Sequence, residues 1–248
     1  MDTKLPPIVS MNMIGEAGSF SDFFGFVIFL PGCDLACDYC LNTDIVENNL
    51  PTRISLEDVL RHAKENAETN ILISGGEPLL HHQAEELIRK LKDAGLRVGL
   101  STNGNHPYKL QNLIEKKHLD FCAIDIKHPH TKQGIESAAK NLFRSNIEAA
   151  ESYADNVKKS IQVVSDKPLL LEFRTTLYPP VVASVHDIVS IGTLLPKRSL
   201  WTLQQFRPRL GLLGGPSIAT VQAHPRVLVE EMREEALKYV ERVELRDP

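Results

Sequence analysis

A parallel α/β fold, drawn as a partial, open (β/α)6 TIM-type barrel, is what this sequence predicts, and three observations carry it. Short runs of large apolar and β-branched residues recur six times along the chain. Segments of helical period separate them, which is the pattern of strand-helix-strand units. The runs are near-continuously apolar rather than alternating, as strands covered on both faces must be. Six such runs are too few for a complete eight-unit barrel, which takes ~250 residues of full units. A doubly wound open sheet is the alternative. In both arrangements ligands meet the carboxyl ends of the strands, where the connecting loops gather.

The elements follow in order. Phe26–Leu30 is the first strand, stopped by Pro31-Gly32. Leu56, Val59, Leu60, Ala63 and Ala67 then share one helical face behind Ser55, a capping residue. Ile71, Leu72 and Ile73 make the second strand. Ala84, Leu87, Ile88 and Leu91 form the next helical stripe, ended by Gly95. Residues 96–100 are the third strand, Leu110, Leu113 and Ile114 a short helix, and residues 122–126 the fourth strand. Leu142, Ala149, Ala150, Tyr153, Val157 and Ile161 predict one long helix ending before Asp166-Lys167-Pro168. Residues 169–177 and 200–203 complete the strands, and a C-terminal helix is expected over about 226–240. No repeat or linker divides the chain, so residues 1–248 read as one domain with its core at about 18–211.

Composition narrows the function classes. The 248 residues carry 28 Lys and Arg against 32 Asp and Glu, a net charge of −4. Mild acidity leaves no electrostatic footprint for nucleic acid or an anionic membrane. No apolar run nears the ~20 residues that span a bilayer. The opening Met1-Asp2-Thr3-Lys4-Leu5-Pro6-Pro7 lacks the basic-then-apolar order of a signal peptide. A soluble, cytoplasmic protein is the expectation. Four cysteines are too few to staple a chain of this length with disulfides.

Three of those cysteines, Cys33, Cys37 and Cys40, fall within eight residues directly after the first strand. Thiolates at that spacing can serve one metal centre. Structural zinc takes a fourth protein ligand, and His62, His81 and His82 are available, though not at a finger spacing. A four-iron cluster held by three thiolates instead leaves one iron open, where four cysteines are usual. Ser74-Gly75-Gly76-Glu77-Pro78 closes the second strand, and its glycines let backbone approach a ligand closely. Ser101-Thr102-Asn103-Gly104 closes the third with hydroxyl and amide groups. Asp125 and Lys127 close the fourth on one side of it, by period two. Arg174 sits late in the fifth, where an exposed guanidinium would clamp a carboxylate. Cys122, within a strand, reads as a small buried hydrophobe.

The Cys33-x3-Cys37-x2-Cys40 spacing, with Tyr39 before the last Cys, resembles the signature of the radical S-adenosylmethionine (radical SAM) superfamily, and the later strand ends match it. The resemblance implies that Cys33, Cys37 and Cys40 are metal ligands and catalytic, holding a [4Fe-4S] cluster. It implies S-adenosyl-L-methionine contacts at Tyr39, Asn42, Gly75, Gly76, Glu77, Ser101, Asn103, Asp125, Lys127 and Arg174. Within the superfamily the chain is most similar to glycyl-radical-enzyme activating enzymes. The lead-in Gly18-Ser19-Phe20-Ser21-Asp22-Phe23-Phe24-Gly25, Cys40-Leu41-Asn42 and Asp125-Ile126-Lys127 carry this. Arg174-Thr175-Thr176-Leu177-Tyr178-Pro179 and Leu203-Gln204-Gln205-Phe206-Arg207-Pro208 resemble the branch that activates anaerobic ribonucleotide reductase. The chain departs from the pattern at Leu41 and Arg207, where activases carry His, and at Ser101, where pyruvate formate-lyase activases carry Asp.

This resemblance implies hydrogen abstraction from a Gly Cα of a partner glycyl radical enzyme, with a low-potential reductant such as flavodoxin or ferredoxin. A radical SAM enzyme acting on a small molecule or on RNA would share the cluster and SAM motifs. A non-catalytic metal-binding or electron-transfer protein leaves the Gly-Gly-Glu and Asp-x-Lys segments unexplained. An activase also needs a broad mouth, which loops 43–52 and 129–134 are expected to rim.

Overall fold

The computed structural model describes residues 5–13, 23, 25–51 and 53–246. Among them, eight strands form one sheet in chain order: β1 (Ser10–Met13), β2 (Phe26–Leu30), β3 (Asn70–Gly75), β4 (Arg97–Thr102), β5 (Phe121–Asp125), β6 (Leu170–Leu177), β7 (Leu200–Gln205) and β8 (Arg242–Arg246). Strands β2 to β8 are parallel, and β1 alone is antiparallel, paired with β2. Strands β1 and β8 do not pair with each other, so the sheet stays open. Helices α1 (Thr43–Val46), α2 (Leu56–Glu65), α3 (Ala84–Asp93), α4 (Pro107–Glu115), α5 (Lys132–Leu142), α6 (Ile147–Val164), α7 (Val185–Gly192) and α8 (Arg226–Ala236) lie between the strands. None of the described helices is long and apolar enough to cross a membrane.

The pleat divides the sheet's residues between two surroundings. Phe26, Ile28, Ile73, Leu100 and Ile124 are fully buried with Leu87, Ile88 and Leu110 of the helices in one continuous core. The opposite face holds a small cluster of Phe23, Val27, Leu72, Phe121 and Ala123, in which the Phe23 and Phe121 rings stack at 5.1 Å. Toward the strands' carboxyl ends that face turns polar, with Ser101, Asp125 and Arg174. The sheet's polar end is thus where the loops converge.

The six central strands, β2 to β7, match the six apolar runs. Two edge strands were not expected: β1 reads Ser-Met-Asn-Met and β8 Arg-Val-Glu-Leu-Arg, each short and half polar. The single long helix expected before Asp166 is two, α5 and α6. Arg144 and Ser145 take positive φ between them, and Asn146 restarts the helix by accepting from the Ala149 N–H at 3.0 Å. Ser55 caps α2 as expected, its Oγ accepting from Asp58 N–H while the Asp58 carboxylate accepts from the Ser55 N–H. Ala67 has left that helix with φ of 52°. Of the lead-in 18–25, only Phe23 and Gly25 belong to the described residues.

Candidate active site

Strand β2 delivers the cysteine loop to the polar end of the sheet, and three separate segments hold it there. Gly32 accepts from the Glu77 N–H at 2.8 Å, joining the loop to the end of β3. Ala36 and Asp38 donate backbone hydrogen bonds to Leu142 and Asn141 at the end of α5, both at 2.9 Å. Asp38 and Cys40 in turn accept from Gly214 and Leu213, in the segment after β7. The two glycines at the end of β3, Gly75 and the Gly76 that follows it, are sterically compulsory. A Cβ on Gly76 would lie 1.9 Å from the Gly32 oxygen, and Gly75 has φ of 126° with the Leu30 oxygen 2.1 Å from the same position.

Cys33, Cys37 and Cys40 line one cavity of about 220 Å3. Ser74, Gly75 and Gly76 form a second wall, Ser101, Thr102 and Asn103 a third, and Asp125 at the end of β5, Lys127 just beyond it and Arg174 of β6 face it. Tyr39 and Asn42 of the cysteine loop are also in the wall, and the Asn42 amide donates to the Gly75 oxygen at 3.2 Å. The motifs read separately along the chain therefore meet at one place. Cys122 is fully buried in β5 and does not line the cavity.

Electrostatics separate the roles of these groups. Burial pushes the thiol of Cys37 up to about 12 and raises Cys33 and Cys40 as well, so without metal all three are protonated at neutral pH. Lys127 lies 2.9 Å from the Asp125 carboxylate; burial opposes its charge, yet Asp125 and its other neighbours hold its pKa well above the ordinary value. Tyr39 keeps a buried hydroxyl with no hydrogen-bond partner, while its ring packs on Tyr178 at 4.9 Å.

Glu77 does not line the cavity. It is completely buried behind it, accepting from Leu79 N–H, Thr102 Oγ1 and Asn103 N–H at 2.9, 2.8 and 2.7 Å. It ties β3 to β4 and sets the Asn103 backbone. Arg174 is likewise not the exposed guanidinium expected: its side chain is 12% exposed and lies 2.7 Å from Glu172, itself 0% exposed. Strand period two places Glu172 and Arg174 on one face, so an acid two residues before the arginine was the available signal. The Arg174 Nε remains buried without a partner.

Two further residues escaped the sequence reading. Asp34 binds the amides of Asn103 and Asn105 at 2.8 and 2.6 Å and lies 3.0 Å from His106 Nε2. Burial works against its charge, but hydrogen bonds from His106, Asn105 and Asn103 hold its carboxyl down at about 2. Tyr153 of α6 donates to the Asn103 oxygen at 2.9 Å. Both position Asn103 from outside the cavity. Of the two loops expected to rim the mouth, 43–52 brings Val46 to this cavity, whereas residues 129–134 line neither it nor the one beside it, whose wall includes Phe206 and Arg207.

The donor set fits an iron-sulfur cluster. Among the described residues, no three His, Cys, Asp or Glu side chains are gathered tightly enough for a single metal ion. A cubane presents separate irons to separate thiolates, and three cysteines around one cavity with a polar opposite wall suit it. The compulsory glycines let the end of β3 pack directly on the backbone of Leu30 and Gly32 while themselves lining the cavity.

A model of the Radical SAM superfamily matches residues 27–175. A Methanocaldococcus jannaschii protein named as a candidate glycyl-radical enzyme activating enzyme is 32% identical over 184 residues, spanning 74% of this chain and 73% of its own. The 7-carboxy-7-deazaguanine synthase of Hyperthermus butylicus is 29% identical over 225 residues, spanning 86% of this chain and 94% of its own. Among solved structures, Streptococcus suis SuiB bound to S-adenosylmethionine superposes with a TM-score of 0.62 at 12% identity. That superposition covers 88% of this chain but about half of SuiB, 51%, and it speaks for the fold alone.

Proposed function

The chain belongs to the radical SAM superfamily, whose enzymes use a [4Fe-4S] cluster and S-adenosylmethionine, and from that premise we propose that it abstracts a hydrogen atom from a Gly Cα of a partner glycyl radical enzyme. The observation that carries this reading is the meeting of two separate segments on consecutive strands. Those resembling the ribonucleotide-reductase-activating branch lie on adjacent strands, with Thr176 opposite Gln204 and Leu177 opposite Gln205. Thr176, Gln204, Gln205 and Arg207 then line one outer cavity against the cysteine loop. Sequence of activase type thus stands where a substrate would approach. The open sheet supports the same reading, because a loop of another protein needs a wide entrance.

Cys33, Cys37 and Cys40 would hold the cluster as thiolates, shedding protons that burial otherwise keeps on them. Bound there, the cluster supplies an electron for cleaving SAM, and SAM supplies the adenosyl fragment that takes the hydrogen atom. The chain's own residues position and enclose. Backbone groups of Ser74, Gly75 and Gly76 would meet the methionine amine, at the approach the glycines permit. Ser101, Asn103 and Arg174 would meet its carboxylate and the ribose, and the unpartnered Arg174 Nε is a donor ready for that use. Asn42 fixes the glycine pair against the cysteine loop. Asp125 keeps Lys127 charged within the wall. Leu35, Val46 and Leu213 exclude water from the same cavity.

The test uses a partner's glycine loop as a synthetic peptide with deuterium at the Gly Cα, incubated anaerobically with reconstituted enzyme, SAM and dithionite. Deuterium in 5′-deoxyadenosine is the expected result, since direct abstraction carries that atom to the 5′ carbon. Absence of transfer, with turnover on a small molecule instead, favours the second reading. The length of the match to the Hyperthermus butylicus 7-carboxy-7-deazaguanine synthase supports that alternative, a small-molecule substrate at the same cavity.

A further inference from the structure

Leu170, Glu172 and Arg174 follow one another along one face of β6, by period two. Leu170 packs against the apolar cluster of Phe23, Val27, Leu72, Phe121 and Ala123, and Arg174 lines the inner cavity. Glu172 stands between those layers, fully buried and in the wall of neither cavity. Its Oε1 accepts from Thr202 Oγ1 at 2.7 Å and lies 3.6 Å from Arg246, so the carboxylate is anchored to β7 and β8. Its Oε2 accepts from Arg174 Nη2 at 2.7 Å, and Arg174 Nη1 donates to Ser101 Oγ of β4 at 3.3 Å. The planar guanidinium is thus held at both terminal nitrogens. Burial opposes the charge of Glu172, yet Arg174, then Thr202 and Arg246, keep its carboxyl below the ordinary range. Burial likewise opposes the charge of Arg174, and Glu172 above all sustains it. The pair is therefore ionised. Stability does not explain it, since desolvating two charges offsets most of their attraction and apolar residues of like volume often serve a core as well. What such a pair fixes is direction.

We propose that Glu172 is a positioning residue for SAM, holding the Arg174 guanidinium in one orientation so that it selects the methionine carboxylate. The inference rests on the placement of that carboxylate against Arg174 in the proposed function. Glu172 touches no ligand and acts through Arg174 alone. A free arginine side chain brings many rotamers to a cavity and loses their entropy when a ligand fixes it. Held from behind by Glu172 and from the side by Ser101, Arg174 has lost that entropy before SAM arrives, and the site is preorganised. Thr202 takes the next, more remote part, since its hydroxyl orients the Glu172 carboxylate. Four neighbouring strands, β4, β6, β7 and β8, thereby contribute to the direction of one guanidinium.

The experiment is calorimetry on the reconstituted, cluster-loaded enzyme under anaerobic conditions, comparing SAM with decarboxylated SAM, the same sulfonium without its carboxylate. The wild type should prefer SAM at least about tenfold, the scale of charge-assisted hydrogen bonds to a carboxylate. Arg174→Gln should shrink that preference about fivefold or more, and Glu172→Gln nearly as far. Both changes together should lose no more than Arg174→Gln alone, because the two residues act as one unit. Glu172→Asp keeps the charge and should restore part of the preference. Iron content should match the wild type in every variant. Thr202→Val is close in shape, lies outside both cavity walls and should give a smaller loss, so it tests the proposal even if Glu172→Gln does not fold. A purely structural role would weaken both ligands by the same factor in Glu172→Gln and Thr202→Val. That result, with Arg174→Gln still losing the preference, overturns the positioning role and leaves the contact between Arg174 and SAM standing. A preference unchanged in Arg174→Gln overturns the contact and the role of Glu172 together. Neither result bears on the glycine substrate, which deuterium transfer tests separately.

Discussion

Replacing Glu77 by Gln should remove a pH dependence of stability that the wild type carries. The carboxylate is fully buried and accepts from three donors. Burial raises its pKa and the donors lower it; burial prevails, moving it from 4.5 to about 7. Below 4.5 the carboxyl is protonated folded or unfolded, and it adds no pH dependence. Between 4.5 and 7 the unfolded chain ionises while the folded chain does not, so stability falls as pH rises. Above 7 the folded protein bears the full cost, about 3 kcal/mol at about 1.4 kcal/mol per tenfold in proton affinity. His128 and His130 act oppositely, since burial lowers them to about 4 and about 3 and their contribution grows with pH. Both proteins share those histidines, so the difference between them isolates Glu77. Urea melts of the cluster-free chain from pH 4.5 to 7.5 measure it. The wild type should lose about 3 kcal/mol relative to Glu77→Gln across that range. Gln also sets an amide N–H against one of three donors, at a pH-independent cost of about 1–3 kcal/mol. A wild-type-minus-variant difference that stays flat with pH refutes the reasoning.

Three further outcomes are expected. Cys33→Ser, Cys37→Ser and Cys40→Ser should each abolish binding of about four irons per chain, whereas Cys122→Ala should keep the iron and cost about 1 kcal/mol of stability through a small cavity; iron analysis and melts check both. Gly76→Ala should drive the cysteine loop away from β3, because its Cβ would meet backbone at 1.9 Å; loss of SAM binding by calorimetry, with at least about 1–3 kcal/mol lost in melts, is the expected reading. Tyr153→Phe should cost about 1 kcal/mol by removing the hydrogen bond to the Asn103 oxygen, and weaken SAM binding although Tyr153 stands outside the cavity wall.

What could be read from the sequence was whatever a short window contains. Strands β2 to β7 announced themselves because each is a dense apolar run, and the cysteine, glycine and Asp-x-Lys motifs are each complete within ten residues. The order of those runs also brought their ends together, since parallel strands in series share one carboxyl end. Strands β1 and β8 escaped because edge strands bury less and keep polar residues such as Asn12, Glu244 and Arg242. The split of α5 from α6 turns on two positive φ values, which no apolar period records. Asp34 was missed because its partners lie about seventy residues away, at Asn103, Asn105 and His106. A lone acid in a loop looks solvated until its donors are known. Glu172 was the more readable omission, an acid within an apolar strand on the same face as Arg174.

Because the strands stand side by side in the order of translation, every strand from β2 onward finds a neighbour that the ribosome has already released. Each pairing closes only the loop between consecutive strands, and closure entropy grows with that length rather than with the distance to a remote segment. The growing sheet never has to hold a gap for a later insertion. The cysteine loop's first support, the end of β3, is therefore among the earliest contacts made, while Arg246 arrives with the last strand. Nascent chains of increasing length, arrested and probed by proteolysis, should gain protection one strand at a time.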